Sequence, residues 1–153
     1  MRRTALVHRS FPFALSTTRS MTDTHITVCT TCRATGTSRE QRADGLNLFD
    51  AVQEALWAAE TADGVALNVQ LRGQACMSGC NRACTLAVQS AGKWTYYWGD
   101  LAPDAETAEQ VVACARMHQF STDGELEWKA RPERLKSGVL ARIPATAAAA
   151  QRV

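Results

Sequence analysis

Five cysteines fall in two short runs, Cys29-Thr30-Thr31-Cys32 and Cys76-Met77-Ser78-Gly79-Cys80-Asn81-Arg82-Ala83-Cys84, with 43 residues between Cys32 and Cys76. A thiolate is a soft ligand that suits zinc or an iron–sulfur cluster far better than magnesium or calcium. Two intervening residues are the usual short chelate spacing, so Cys29 and Cys32 can grip one ion together. The two runs read as half-sites of one metal centre. Folding must therefore gather residues near 30 and near 80 into a common pocket.

Periodicity shows how the chain could do this. His25 to Cys29 is a short β-prone run that ends on the first cysteine. Thr30 to Ala43 is polar and reads as a loop. Leu48, Phe49, Val52, Ala55, Leu56 and Ala59 recur at three- and four-residue spacing, predicting a helix with one apolar face, capped by Asp44 or Asn47 and ended by Asp63-Gly64. Val65, Leu67, Val69 and Leu71 alternate with polar or small residues, as in a half-buried strand, and Gly73 then opens the second cysteine loop. Leu86–Gln89, a turn over 90–93, and Trp94–Trp98 read as a hairpin. Trp94, Tyr96 and Trp98 share one face of it, and Tyr97 points the other way. Pro103-Asp104 opens a last helix whose apolar face is Ala108, Val111, Val112 and Ala115. The order predicts an α/β fold of thioredoxin-like layout: β-α-β, cysteine loop, β-hairpin, C-terminal helix. Both cysteine runs then follow strand ends, where open α/β sheets bind ligands.

The candidate metal ligands are Cys29, Cys32, Cys76, Cys80 and Cys84. If the second loop winds helically, the i, i+4, i+8 spacing puts its three sulfurs on one face. Gly79 argues against a regular helix but permits a tight loop. Four thiolates at about 2.3 Å would satisfy zinc, and four thiolates are equally the ligand set of a 2Fe–2S cluster. Arg33, Arg72 and Arg82 are placed to offset thiolate charge and lower thiol pKa values. Gly73, Ser78, Gly79 and Asn81 could donate hydrogen bonds to sulfur. Cys114, on the apolar side of the last helix, reads as core. His25 reads as a surface or outlying site residue, and His118 as a cation favoured late in its helix.

Cysteine pairs also serve thiol–disulfide exchange, where a helix N-terminus lowers the thiol pKa. Here about a dozen polar residues separate Cys32 from the predicted helix, which counts against that chemistry.

Residues 1–22 read as a disordered leader or a mis-assigned start, with Met21 as the alternative start. Residues 1–20 carry Arg2, Arg3, Arg9 and Arg19 and no acid. Subtracting that +4 from the chain's +2 leaves residues 21–153 at −2, with no basic stripe for nucleic acid. No apolar run reaches the roughly 18 residues of a membrane span, and no clear export signal stands out. The expected setting is cytoplasmic, where cysteines more often bind metal than form structural disulfides. Residues 23–125 are expected to form the metal-binding domain and 126–153 a basic C-terminal extension, with one short helix between Pro132 and Lys136.

The stretch from Cys76-Met77-Ser78-Gly79-Cys80 through Lys93-Trp94-Thr95-Tyr96 and Gly99-Asp100-Leu101 into the last helix resembles the thioredoxin-like 2Fe–2S ferredoxins. The chain over roughly residues 25–144 is also similar to a bacterial family of predicted metal-binding proteins with an early CxxC. The resemblance implies cluster ligands at Cys29, Cys76 and Cys80, with Cys32 or Cys84 as the fourth. It implies an electron carrier working with a redox partner. A zinc or cobalt protein of structural or metal-handling role, serving a metal-transfer partner, and a CxxC oxidoreductase are the alternatives. Oligomeric state stays open, a homodimer included.

Overall fold

The computed structural model describes residues 23–63 and 67–146. The expectations for residues 1–22 and 147–153 lie outside these, as do Val65 and Ala66 of the anticipated second strand.

Strand β1 (Thr24–Cys29) alternates as its sequence predicts: Thr24, Ile26 and Val28 are fully buried while His25 and Thr27 are half-buried. Helix α1 (Asp44–Asp63) follows and buries Leu48, Val52 and Leu56. It supplies the long crossover that a parallel strand pair requires. Strand β2 (Val69–Gln74) then pairs with β1 in parallel, from Thr24↔Val69 to Cys29↔Gln74. Gly73 lies inside this strand opposite Val28 and does not open the cysteine loop as expected. The edge offered by β1 extends to Cys29, so pairing carries the neighbouring strand past the apolar alternation; such tertiary override is usual for strands.

Strands β3 (Leu86–Gln89) and β4 (Thr95–Trp98) form the predicted hairpin, and β3 also pairs antiparallel with β1. Helix α2 (Ala105–Phe120) is capped by the Asp104 carboxylate, which accepts from the Thr107 N–H at 2.8 Å. Ala108, Val111, Val112, Cys114 and Ala115 are buried where α2 packs beside α1 and over β1, β2 and β3. Cys114 is thus core, as read, and burial pushes its thiol pKa up to about 12.

The chain after residue 126 adds a strand that periodicity did not announce. Strand β5 (Val139–Ile143) pairs antiparallel with β4, completing a five-stranded mixed sheet of order β2-β1-β3-β4-β5. Pro132–Lys136 holds only a short 3-10 turn, Glu133–Leu135. Leu126 and Leu135 reach the core. The aromatic strand explains why this basic segment docks. The Leu126 N–H donates to the Tyr96 hydroxyl at 2.9 Å, and the Trp98 indole N–H donates to the Leu135 carbonyl at 3.1 Å. Arg142 lies 4.4 Å from the Trp94 ring centroid and Arg131 5.1 Å from that of Tyr96, within cation–π range.

His118 corrects the sequence reading. It is fully buried rather than a helix-end cation. Its Nε2–H donates to the Trp94 carbonyl at 2.6 Å, which leaves Nδ1 to accept from the Ser90 hydroxyl at 3.4 Å. Burial, with the nearby Lys93 charge, depresses its pKa despite the Trp94 bond and Asp123. His118 lies four residues after Cys114 and so falls on the same buried face of α2.

Candidate metal centre

The parallel register brings both cysteine runs to one edge of the sheet. Cys29 ends β1 directly opposite Gln74, which ends β2. The Thr30 N–H donates to the Gln74 carbonyl at 2.8 Å, and the Thr31 hydroxyl donates to Ala75. Stitched in this way, the first cysteine loop runs beside the start of the second. Cys29 lies with its Sγ 4.0 Å from the Ala75 carbonyl.

The first run is locked down. The Gly45 N–H donates to the Cys32 carbonyl at 3.1 Å, so the start of α1 abuts the CxxC loop. A Cβ on Gly45 would collide with the Cys29 backbone carbonyl, and only glycine permits this approach. The sequence separation between Cys32 and the helix is therefore no spatial separation, which corrects the expectation above. The intervening residues fold back. Arg33 donates through Nη1 to the Ser38 and Gln41 carbonyls at 3.1 and 2.6 Å. The Asp44 carboxylate accepts from the Ala34 N–H and the Thr37 hydroxyl, both at 2.8 Å, tying down this preceding loop.

Cys29, Cys32 and Cys84 are all buried, at 2%, 3% and 1% exposure. Their environments differ. Burial raises the Cys29 thiol pKa, but hydrogen bonds from Cys32, Thr31 and the Met77 backbone outweigh it, and the net shift is downward. Burial raises Cys32, and the Thr85 hydroxyl at 3.4 Å offsets this only in part. Cys84 is pushed up to about 12 by burial, then by the charges of Cys32, Asp44 and Cys29.

The second run is open. Cys76 and Cys80 are exposed. Only Cys80–Arg82 winds helically, as a short 3-10 turn, and Ser78 turns the loop at φ +58°. The three sulfurs of this run consequently do not share a face: Cys76 and Cys80 stand outward while Cys84 enters the core. The loop is held from β4. The Tyr97 hydroxyl donates to the Met77 carbonyl at 2.7 Å. Gly79 lies so close to the Tyr97 hydroxyl and the Thr85 methyl that a Cβ there would displace them. Arg82 Nε donates to both Asp100 carboxylate oxygens at 2.9 and 2.8 Å. That pairing absorbs the Arg82 charge, so Arg82 is not the thiolate counter-charge its sequence position suggested.

Thr31, Cys32, Arg33, Thr37, Arg39 and Cys80 line one cavity of about 530 Å³, which joins the two cysteine runs. The donor chemistry and placement fit a soft metal. The donor geometry is not pre-set: among the described residues no three His, Cys, Asp or Glu side chains are grouped to hold an ion. His25 stands on β1 with a buried Nδ1 that has no partner among the described residues.

Several supports of this edge escaped the sequence reading. Gly45 carried a weak signal, since a glycine near the start of a helix can mark a close backbone approach. Tyr97 carried another, being the aromatic that faces away from its neighbours. Thr85 and Arg39 carried none.

The topology defines an α/β protein of thioredoxin-like arrangement with a cysteine-rich edge beyond the ends of its parallel strands. The chain belongs to the family described as "Protein of unknown function (DUF1636)", which matches residues 26–145. Among solved structures, the thioredoxin-like 2Fe-2S ferredoxin from Aquifex aeolicus is similar at 19% identity and a TM-score of 0.48, over 79% of this chain and 93% of that one. No curated protein matches. No helix among the described residues is long and apolar enough to cross a membrane.

Proposed function

We propose that the chain is a cysteine-ligated metal protein that carries a 2Fe–2S cluster and transfers electrons to a partner protein. The observation that carries this reading is the convergence of Cys32 and Cys80 on one cavity, forced by the pairing of Cys29 with Gln74. The ligand set supported best is Cys29, Cys32, Cys76 and Cys80. Cys84 shares the hydrophobic core with Cys29 and Cys32, and Cys32 is preferred to it because Cys32 also lines the cavity that Cys80 lines. A cluster there would supply a one-electron redox couple. The protein's part is to bury its inner ligands and to leave its outer ones at the surface, where a partner can approach. Anaerobic purification followed by a visible spectrum with iron and sulfide analysis tests the proposal. A coloured protein with two irons and two sulfides per chain is expected. A colourless protein with one zinc would replace it with the structural or metal-handling reading.

One observation favours a second reading, thiol–disulfide exchange. The start of α1 sits against the CxxC loop, and Cys29 has the lowered thiol pKa while Cys32 has the raised one. In that chemistry the Cys29 thiolate attacks a substrate disulfide and expels one thiolate. Cys32 then attacks the mixed disulfide, releasing the second. Insulin reduction that is lost in Cys29→Ser would establish it.

A further inference from the structure

The cavity between the two cysteine runs has a charge of its own. Two of its six lining residues are arginines, two are threonines, and two are thiols; none is acidic. Arg33 is fixed in place by its bonds to the Ser38 and Gln41 carbonyls and forms no ion pair among the described residues. Arg39 is exposed and likewise forms none. The Asp44 carboxylate accepts from the Ala34 N–H and the Thr37 hydroxyl and also feels the Arg33 charge, without closing an ion pair with it. Four other arginines are paired with acids: Arg42 with Asp50, Arg82 with Asp100, Arg134 with Glu106, Arg142 with Glu125. Two guanidiniums, neither in an ion pair among the described residues, thus meet at a cavity that also holds a thiol from each cysteine run.

We infer that this cavity binds small carboxylate-bearing ligands and presents them to the Cys80 thiol. A guanidinium fork matches a carboxylate in two-point geometry and is the residue of choice for such recognition. Arg33 supplies a cation held by two backbone carbonyls, and Arg39 an exposed one. A second cavity of about 330 Å³, lined by Ser78, Gly79, Cys80, Asn81, Arg82 and Leu140, shares only Cys80 with the first. Cys80 therefore stands at a junction open to solvent on two sides, reachable by a ligand seated against the arginines. The inference rests on the metal-protein reading for its role, as the charge class of what approaches the centre. It rests on the cavity alone for its existence.

The test compares two alkylating reagents on the full chain, chelator-treated and reduced with a phosphine. Iodoacetate carries a carboxylate, whereas iodoacetamide is neutral. In both, the thiolate sulfur bonds to carbon as iodide leaves, so their rate ratio cancels the thiolate fraction. Mass spectrometry reads that ratio at each cysteine, with the exposed Cys76, which does not line the cavity, as internal reference. The expected ratio at Cys80 exceeds that at Cys76 on the order of tenfold, as for anions focused into a charged cleft. Arg39→Gln should lower it and Arg39→Glu should bring it to the Cys76 value or below. Succinate should protect Cys80 in the native chain, which needs no variant. Equal ratios at Cys80 and Cys76, a Cys80 ratio that survives Arg39→Glu, or no protection by succinate would each overturn the inference. Iron content plays no part in these readouts, so a failure here leaves the metal reading standing, and the reverse holds too.

Discussion

The two cysteine runs leave adjacent ends of the same parallel strand pair, yet they are built oppositely. Cys29 and Cys32 are buried under the start of α1 and fixed by backbone bonds on both sides. Cys76 and Cys80 are exposed on a loop held at three points, Tyr97, Gly79 and the Arg82–Asp100 pair. One run is a buried floor and the other an exposed wall. If the proposed metal centre forms, the first run would supply its buried ligands and the second its exposed ones. This explains how five thiols can share an edge without forming a ready-made group of three.

The sharpest way to break the contrast is at its floor. Gly45→Ala forces a Cβ into the Cys29 backbone carbonyl, which cannot swing away as a side chain would. Urea unfolding should show a loss of about 3 kcal/mol or more. A loss below about 1 kcal/mol would mean that the first run is as adaptable as the second.

Serine replacements separate the halves next. Cys84→Ser puts a hydroxyl at a fully buried site and should cost about 1–3 kcal/mol while leaving metal content intact. Cys80→Ser lies at the surface and should change stability by less than about 0.5 kcal/mol while abolishing metal loading. The reverse pattern of metal loss would make Cys84 the fourth ligand in place of Cys32.

Tyr97→Phe removes one of the loop's three tethers, the bond to the Met77 carbonyl, at a cost of about 1 kcal/mol. Hydrogen exchange should quicken over residues 76–80 and stay unchanged over 29–32. Uniform quickening of both would show that the runs move as one body.

The smallest effect concerns pH and lies away from both runs. The folded pKa of His118 lies below its unfolded value of about 6.5, so in this range the unfolded chain binds more protons. His118 therefore contributes stability that is full above that value and is lost as pH falls through the folded pKa. His118→Gln should flatten this slope. Asp44, lowered by the Ala34 and Thr37 bonds, should lose its contribution only in more acid solution, as pH falls below the unfolded carboxylate value of about 3.9. Denaturant midpoints from pH 7 to pH 3 would resolve the two steps. A midpoint independent of pH above 4 in the native chain would remove His118 from the account.

Read alone, the sequence specifies the order of elements as far as α2, the hairpin and its aromatic face, the Asp104-capped helix with Cys114 inside, and the position of both cysteine runs after strands. These follow from local periodicity, turn residues and capping, which act over a few residues. The remainder came from contacts between distant parts of the chain. The pairing edge of β1 drew Gly73 into β2, and the aromatic strand gave the basic C-terminal segment a place as β5. Gly45 let α1 return to the CxxC loop across a stretch that the sequence presents as a gap. Burial separated Cys84 from Cys76 and Cys80, although their spacing had suggested a common face. Each of these depends on which surfaces meet, and contact between residues distant in the chain leaves no period to read.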